Sequence, residues 1–161
     1  MNAGAALATG EVLYFVHADT LPPKTFVEDI REAVREGVEL GNFRVRWRGG
    51  PWMLRITSYF SRFRWLWCQG GDKTLFIRRE LFERHGGYDT DQVIMEEYSL
   101  VRDLHQSYRF AVLPRYVTAS ARKYDRNSYW RVTWANGRAY RMWNNGASAE
   151  EIQDFYQKWI R

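Results

Sequence analysis

Residues 12–16, Val-Leu-Tyr-Phe-Val, form an unbroken apolar run that stops at His17-Ala18-Asp19-Thr20, after which Leu21-Pro22-Pro23 breaks the chain. A run this short predicts a strand, here Glu11 to Val16, and its continuous apolar character predicts burial on both faces, as in a parallel sheet. Ligands of open α/β sheets bind just outside the carboxyl ends of the strands. Asp19 therefore stands where a cofactor or metal would be met. A carboxylate there can hold a divalent cation whose other ligands are phosphate oxygens and water.

The chain has 161 residues, 45% hydrophobic and 27% charged, enough for one domain with a core. Its apolar runs fall far short of a membrane span, and the first residues resemble no export signal. The single cysteine, Cys68, excludes an internal disulfide and predicts a cytoplasmic setting; beside Trp67 it reads as a small buried apolar residue rather than a nucleophile. Twenty-four Lys and Arg against 19 Asp and Glu give a net charge of +5, mostly arginine, which matches phosphate in a planar, bidentate way. No nucleic-acid motif accompanies that charge, so nucleic acid is not expected as a partner.

Helices are predicted over Asn2–Thr9, Thr25–Gly37, Pro51–Trp67, Arg79–Arg84, Met95–His105, Asn127–Trp143 and Ser148–Ile160. Strands are predicted over Gly41–Arg48, Lys73–Arg78, Tyr108–Leu113 and Tyr116–Ser120, the last two separated at Pro114. In Gly41–Arg48, Phe43, Val45 and Trp47 alternate with Arg44, Arg46 and Arg48, the pattern of a half-buried strand. In Pro51–Trp67, Trp52, Ile56, Tyr59, Phe60, Phe63 and Trp67 share one side and Arg55, Arg62 and Arg64 the other. The aromatic helix Asn127–Trp143 could line an acceptor groove or pair two subunits, while its Trp130 and Trp134 read as core. Ser148 and Glu151 make a capping box. The whole is an α/β chain whose remaining strands are too few and short to flank a doubly buried first strand.

The polar groups at strand and loop ends are Asp19, Asp72, Glu96-Glu97 and Arg122-Lys123. Each has an ordinary explanation as well. Acids favour the start of a helix dipole, Gly70-Gly71-Asp72 is common turn chemistry, and His17 suits a solvated strand end. The arginine side of Pro51–Trp67 is either a solvated face or, with aromatics opposite, a surface that lies on anionic membranes.

In order along the chain, these pieces resemble family-2 glycosyltransferases, the inverting GT-A type. Phe15-Val16-His17-Ala18-Asp19-Thr20-Leu21-Pro22 resembles the His-Ala-Asp-Thr version of the acidic Asp-x-Asp motif found in a small bacterial subgroup. Gly71-Asp72-Lys73 through Arg79 is similar to its Gly-Asp-Gln segment, and Phe82 to Tyr88 to its Phe-x-x-x-Gly-Gly-Tyr turn. Met95-Glu96-Glu97 resembles its Met-Glu-Asp motif, and Ser120-Ala121-Arg122-Lys123-Tyr124 its Ser-x-Arg-Arg-Trp ending. The likeness runs from residue 1 to about 145; it divides the chain into a metal- and acceptor-side part of a GT-A domain, 1–145, and a terminal helix, 146–161.

The resemblance implies a partial GT-A fold, a mixed sheet flanked by helices with the amino-terminal strands missing. It implies transfer of a sugar from a nucleoside-diphosphate sugar to a hydroxyl acceptor, itself a sugar, a lipid or a small metabolite. Asp19, with His17 in place of the motif's first acid, would hold Mn²⁺ or Mg²⁺. Glu97 would be the base, Glu96 its supporting neighbour, and Asp72 would line the acceptor or sugar side. Arg122 and Lys123 would neutralise the departing diphosphate, with Lys73, where glutamine is usual, as an added cation. The absent half leaves a strand edge open, to be covered by more of a longer protein or by a second copy in a homodimer. The alternative is a non-catalytic binding or peripheral-membrane module on a degenerate GT-A scaffold, at the inner face of the membrane.

Overall fold

The computed structural model describes residues 1–69, 73–89 and 96–160, with the side chain of Glu96 left aside. Asp72 and the side chain of Glu96, both expected at the site, thus lie outside the described residues. Helix α1 (Asn2–Leu7) leads into β1 (Val12–Phe15) and the two-residue β2 (Thr20–Leu21). Helix α2 (Phe26–Arg35), strand β3 (Leu40–Arg48) and helix α3 (Leu54–Phe60) follow, then one 3₁₀ turn at Leu66–Cys68. Next come β4 (Leu75–Arg78), α4 (Arg79–Arg84), α5 (Glu96–Leu104) and β5 (Phe110–Ser120). The chain closes with α6 (Lys123–Arg126), α7 (Tyr129–Asn144) and α8 (Ala149–Trp159).

The strands form one mixed sheet in the order β1-β4-β3-β5-β2, in which β3 and β5 are parallel and the other pairs antiparallel. Side chains alternate across it, as strand geometry requires. Leu40, Leu75 and Ile77 pack with Leu81, Phe82, Leu100, Val101 and Leu104 on one face. Phe43, Val45, Phe76 and Val117 pack with Ile30 and Ala33 of α2 on the other. The α/β class and the helix-flanked mixed sheet are as expected from sequence. Gly41 is required where β3 passes between its neighbours: a Cβ there would run into the Ala111 carbonyl and lie 2.7 Å from the Phe76 ring.

Four expectations are corrected. First, among the described residues β1 is an edge strand, paired only with β4 and antiparallel to it, and of its residues only Leu13 is fully buried. Second, Tyr108–Leu113 and Tyr116–Ser120 merge into the single strand β5. Its ladder to β3 jumps from Leu113 to Tyr116, leaving Pro114 in a bulge, where a residue without an N–H is tolerated. Third, Pro51–Trp67 is α-helical only over α3, its aromatic side faces outward, with Trp52 70% exposed, and Arg62 lies over the Tyr59 ring, 4.0 Å from its centre, rather than on the other side. The face of α3 that turns inward is anchored by Leu54 and by Ser58, whose Oγ donates to the Val45 carbonyl at 2.6 Å. Fourth, Trp130 and Trp134 are exposed; α7 buries Val132, Ala135, Ala139 and Trp143 instead. Cys68 is half-buried rather than enclosed.

The capping box at α8 forms as read, with Glu151 N–H donating to Ser148 Oγ at 3.2 Å and Ser148 N–H to the Glu151 carboxylate at 2.8 Å. Among the described residues no helix is long and apolar enough to cross a membrane.

Candidate functional site

The pairing brings the predicted site residues to one end of the sheet. Phe15 lies opposite Leu75, so His17, just past β1, comes beside Lys73 and Thr74, just before β4. Strands β3 and β5 end together, Arg48 opposite Ser120. Thr20 pairs with Ala119, so Asp19 stands one step beyond that ladder, next to the Ser120–Lys123 stretch. A tight turn sets this up: Thr20 N–H donates to the His17 carbonyl at 3.0 Å, leaving His17 half-buried and the Asp19 side chain exposed.

Two cavities open here. A small one, about 20 Å³, is lined by Phe15, His17, Asn42, Gln69, Lys73 and Glu97 among others. A larger cleft of about 380 Å³ lies between the α3 segment and α7, with Trp47, Trp67, Tyr124, Tyr140 and again Lys73 and Glu97 in its walls. Glu97, near the start of α5, thus borders both. The helix is fixed by Tyr98, which packs with Ala139, Trp143 and Ile152, and by Val101 and Leu104 against the sheet.

The two residues of the basic ending part company. Lys123 lines the cleft, its Nζ 5.5 Å from the Trp47 ring centre and 5.7 Å from that of Tyr124, as a cation over aromatic faces. Arg122 is exposed on the rim, its Nε donating to Ser120 Oγ at 3.2 Å.

Lys73 lies deeper than a diphosphate-binding cation would. It is 7% exposed, and its Nζ donates to the Ser61 carbonyl at 2.8 Å, Gln69 Oε1 at 3.2 Å and Asn42 Oδ1 at 3.3 Å. Burial pushes its ammonium down to about 7, with the nearby Cys68 thiol opposing the shift. Burial also pushes Cys68 up to about 11, partly offset by Lys73. Asn42 Nδ2 donates to Gln69 Oε1 at 2.7 Å, and Gln69 Nε2 to the Phe63 and Trp65 carbonyls. This network ties the aromatic segment after α3 to β3 and to the approach to β4.

Asn42 and Gln69 were not singled out from sequence. The available signal was an amide at an inward strand position, beside a glycine. Helix 127–143 was expected to line an acceptor groove or to pair two subunits, and α7 does border the cleft, but its lining residues Thr133, Asn136, Gly137 and Tyr140 were not picked out. Their three- and four-residue spacing repeats alongside the buried stripe and marks a second helical face.

Among the described residues no three His, Cys, Asp or Glu side chains gather as a metal cluster. The donor set nonetheless suits a hard cation brought in with a phosphate ligand. Asp19 offers an exposed carboxylate, and Mg²⁺ in particular keeps most of its shell as water and phosphate oxygen.

In sequence and in fold the chain is similar to proteins named as glycosyltransferases. No protein-family model matches it. Over 159 residues it is 26% identical to the probable glycosyltransferase YdaM of Bacillus subtilis (strain 168), an alignment covering 87% of this chain and 37% of that protein. Its fold is similar to that of the mannosyltransferase PcManGT from Pyrobaculum calidifontis, whose solved structure is a complex with GDP-Man and Mn²⁺. That match has a TM-score of 0.54 at 17% identity and covers 97% of this chain and 46% of the other. The chain therefore spans less than half the length of either relative.

Proposed function

We propose that this chain is the metal- and acceptor-side part of a family-2, GT-A-type inverting glycosyltransferase. In this reading it moves a sugar from a nucleoside-diphosphate donor to a hydroxyl acceptor. The observation that carries the reading is the position of Glu97, which borders both the small cavity reaching His17 and the larger aromatic cleft. A base must touch the attacking hydroxyl while the donor carbon lies on its other side.

In this reading the acceptor occupies the larger cleft, whose indole and phenol rings suit the apolar face of a sugar. Glu97 takes the proton of its hydroxyl as the oxygen attacks the anomeric carbon. The bond from that carbon to the diphosphate breaks on the opposite side, inverting the configuration. Lys123 and Arg122 neutralise the leaving diphosphate, Arg122 from the rim. Asp19, with His17 behind it, would hold Mn²⁺ or Mg²⁺, which supplies charge to the same leaving group. Lys73 acts from beneath: its amine holds Asn42, Gln69 and Ser61, and so the cleft wall, in place. Asp72 and Glu96 keep the acceptor-side and supporting roles that the resemblance gives them. The pocket for the nucleotide base belongs to strands added on the open edge of β1, from a longer polypeptide or a second copy.

The test is calorimetric titration with a panel of nucleoside-diphosphate sugars, with and without Mn²⁺, followed by transfer assays. Asp19→Asn is expected to abolish the Mn²⁺-dependent part of binding. Glu97→Gln is expected to keep it while slowing transfer by about 100-fold or more. Donor binding that ignores both Mn²⁺ and the Asp19 substitution would sink the metal role. Undiminished transfer by Glu97→Gln would sink the base.

A further inference from the structure

The basic charge of this chain is not spread evenly. Residues 40–71 and 126–149 contain ten of the 24 basic residues, all arginine, and none of the 19 acidic ones. The rest of the chain holds 14 basic and 19 acidic residues, so the positive excess resides entirely in these two segments. They include α3 with the aromatic segment after it, and α7, the opposing walls of the large cleft. The walls meet where Thr57 Oγ1 and the Tyr129 hydroxyl share a hydrogen bond of 3.2 Å.

The same two walls expose the chain's large aromatics. Six of the eight tryptophans, Trp52, Trp65, Trp67, Trp130, Trp134 and Trp159, are exposed, the last packed edge-to-face on Trp134 from α8. On the first wall the rings pack on one another, Phe63 on Trp65 at 4.6 Å and Trp65 on Trp67 at 5.5 Å, rather than into the core. Among the described residues, Arg55, Arg64, Arg131, Arg138 and Arg141 are exposed and have no acidic partner within 4.0 Å.

We infer that this aromatic and arginine-bearing face docks on an anionic lipid bilayer, with the mouth of the cleft held at the headgroups. Tryptophan rings favour the headgroup level, where an apolar body and a polar N–H are both served. Arginines without carboxylates match a surface of lipid phosphates. A second copy of the chain fits poorly, because a two-fold contact through this face would set arginine-rich surfaces against each other with no carboxylate between. Strands added to the sheet would not cover it either. Strands add at an edge, β1 or β2, whereas α3 packs on β3 at the middle of the strand order.

The test is co-sedimentation of the full 161-residue chain with vesicles of phosphatidylcholine alone, and of two parts phosphatidylcholine to one part phosphatidylglycerol. Indole emission and sedimentation velocity are recorded alongside. Expected are binding to the anionic vesicles only, a blue shift of the emission, and loss of binding at high salt. Arg55→Gln combined with Arg131→Gln should lower the partition coefficient about 30-fold, at about 5-fold for each arginine near the surface. Trp52→Ser combined with Trp130→Ser should lower it too, with unchanged circular dichroism in both double variants. Failure of the folded protein to bind anionic vesicles at low salt would overturn the inference. So would a dimer that hides these tryptophans, or binding to a polynucleotide as tight as to the vesicles without a blue shift. None of these readouts depends on donor binding or transfer.

Discussion

Replacing Lys73 by methionine should cost more stability at pH 9 than at pH 7. In the native chain the Lys73 ammonium titrates near 7, against 10.5 for an ordinary lysine, because burial penalises the charge. Between those values the unfolded chain binds more protons than the folded one, so the lysine's contribution to stability rises with pH. Below pH 7 both forms are charged and the burial penalty is felt in full; above 10.5 both are neutral and it vanishes. Integrating from pH 7 to 9 with these two values gives a gain of about 2 kcal/mol. Methionine keeps the length and packing but donates nothing, leaving Ser61 O and Asn42 Oδ1 without the amine at about 1–3 kcal/mol each.

The assay is urea unfolding of both proteins at pH 7, 8 and 9, read as the difference between them. That subtraction removes the other titrating groups. Stopping at pH 9 limits the influence of Cys68, whose raised value of about 11 makes the fold lose stability above its ordinary 9.0. A variant penalty growing by about 2 kcal/mol across the range supports a desolvated, oxygen-held amine. A penalty that is flat or shrinks with pH refutes it, and with it the network that positions the cleft wall.

Two further outcomes follow from the packing. Gly41→Ala should destabilise the fold by at least about 1–3 kcal/mol in chemical denaturation, because the added methyl meets a backbone carbonyl as well as the Phe76 ring; a neutral change would mean that β3 can move away from β5. Trp143→Ala should cost about 3–5 kcal/mol and Trp130→Ala a small fraction of that, since the first is 7% and the second 70% exposed; equal costs would mean that α7 presents a different face to the core.

The helices and the sheet class were legible because their signals are local. Ser148 and Glu151 cap a helix within one turn, and Phe43, Val45 and Trp47 alternate along one strand. What failed depended on partners distant in sequence. An apolar run such as Val12–Phe15 reads the same at a sheet's centre or its edge, and only the ladder to β4 alone identifies an edge. The helical spacing of Trp52, Ile56 and Tyr59 was real over α3, but periodicity gives a face and not its direction, and the face turned outward. For the candidate site, strand-end placement singled out His17, Asp19 and the 120–123 stretch, whereas Asn42 and Gln69 become visible only once β3 and the loop before β4 come together at Lys73.

One electrostatic surface is asked here to attract two kinds of phosphate, and the geometry separates them. A soluble diphosphate would be met at the sheet end, where Lys123 and the rim Arg122 sit beside the Asp19 turn. A bilayer, being flat, can reach only the outer faces of α3 and α7, where Arg55 and Arg131 are exposed. Both would gain from the same long-range field, which falls off over about 8–10 Å in ordinary salt. Replacing Arg55 and Arg131 should therefore weaken vesicle binding sharply and donor binding only slightly, by slowing encounter. Replacing Lys123 by glutamine should do the reverse, leaving vesicle binding within about 5-fold of the parent. If the double arginine substitution and the single Lys123 substitution weakened both ligands alike, the cleft and the aromatic face would be a single binding surface, and their separation would be wrong.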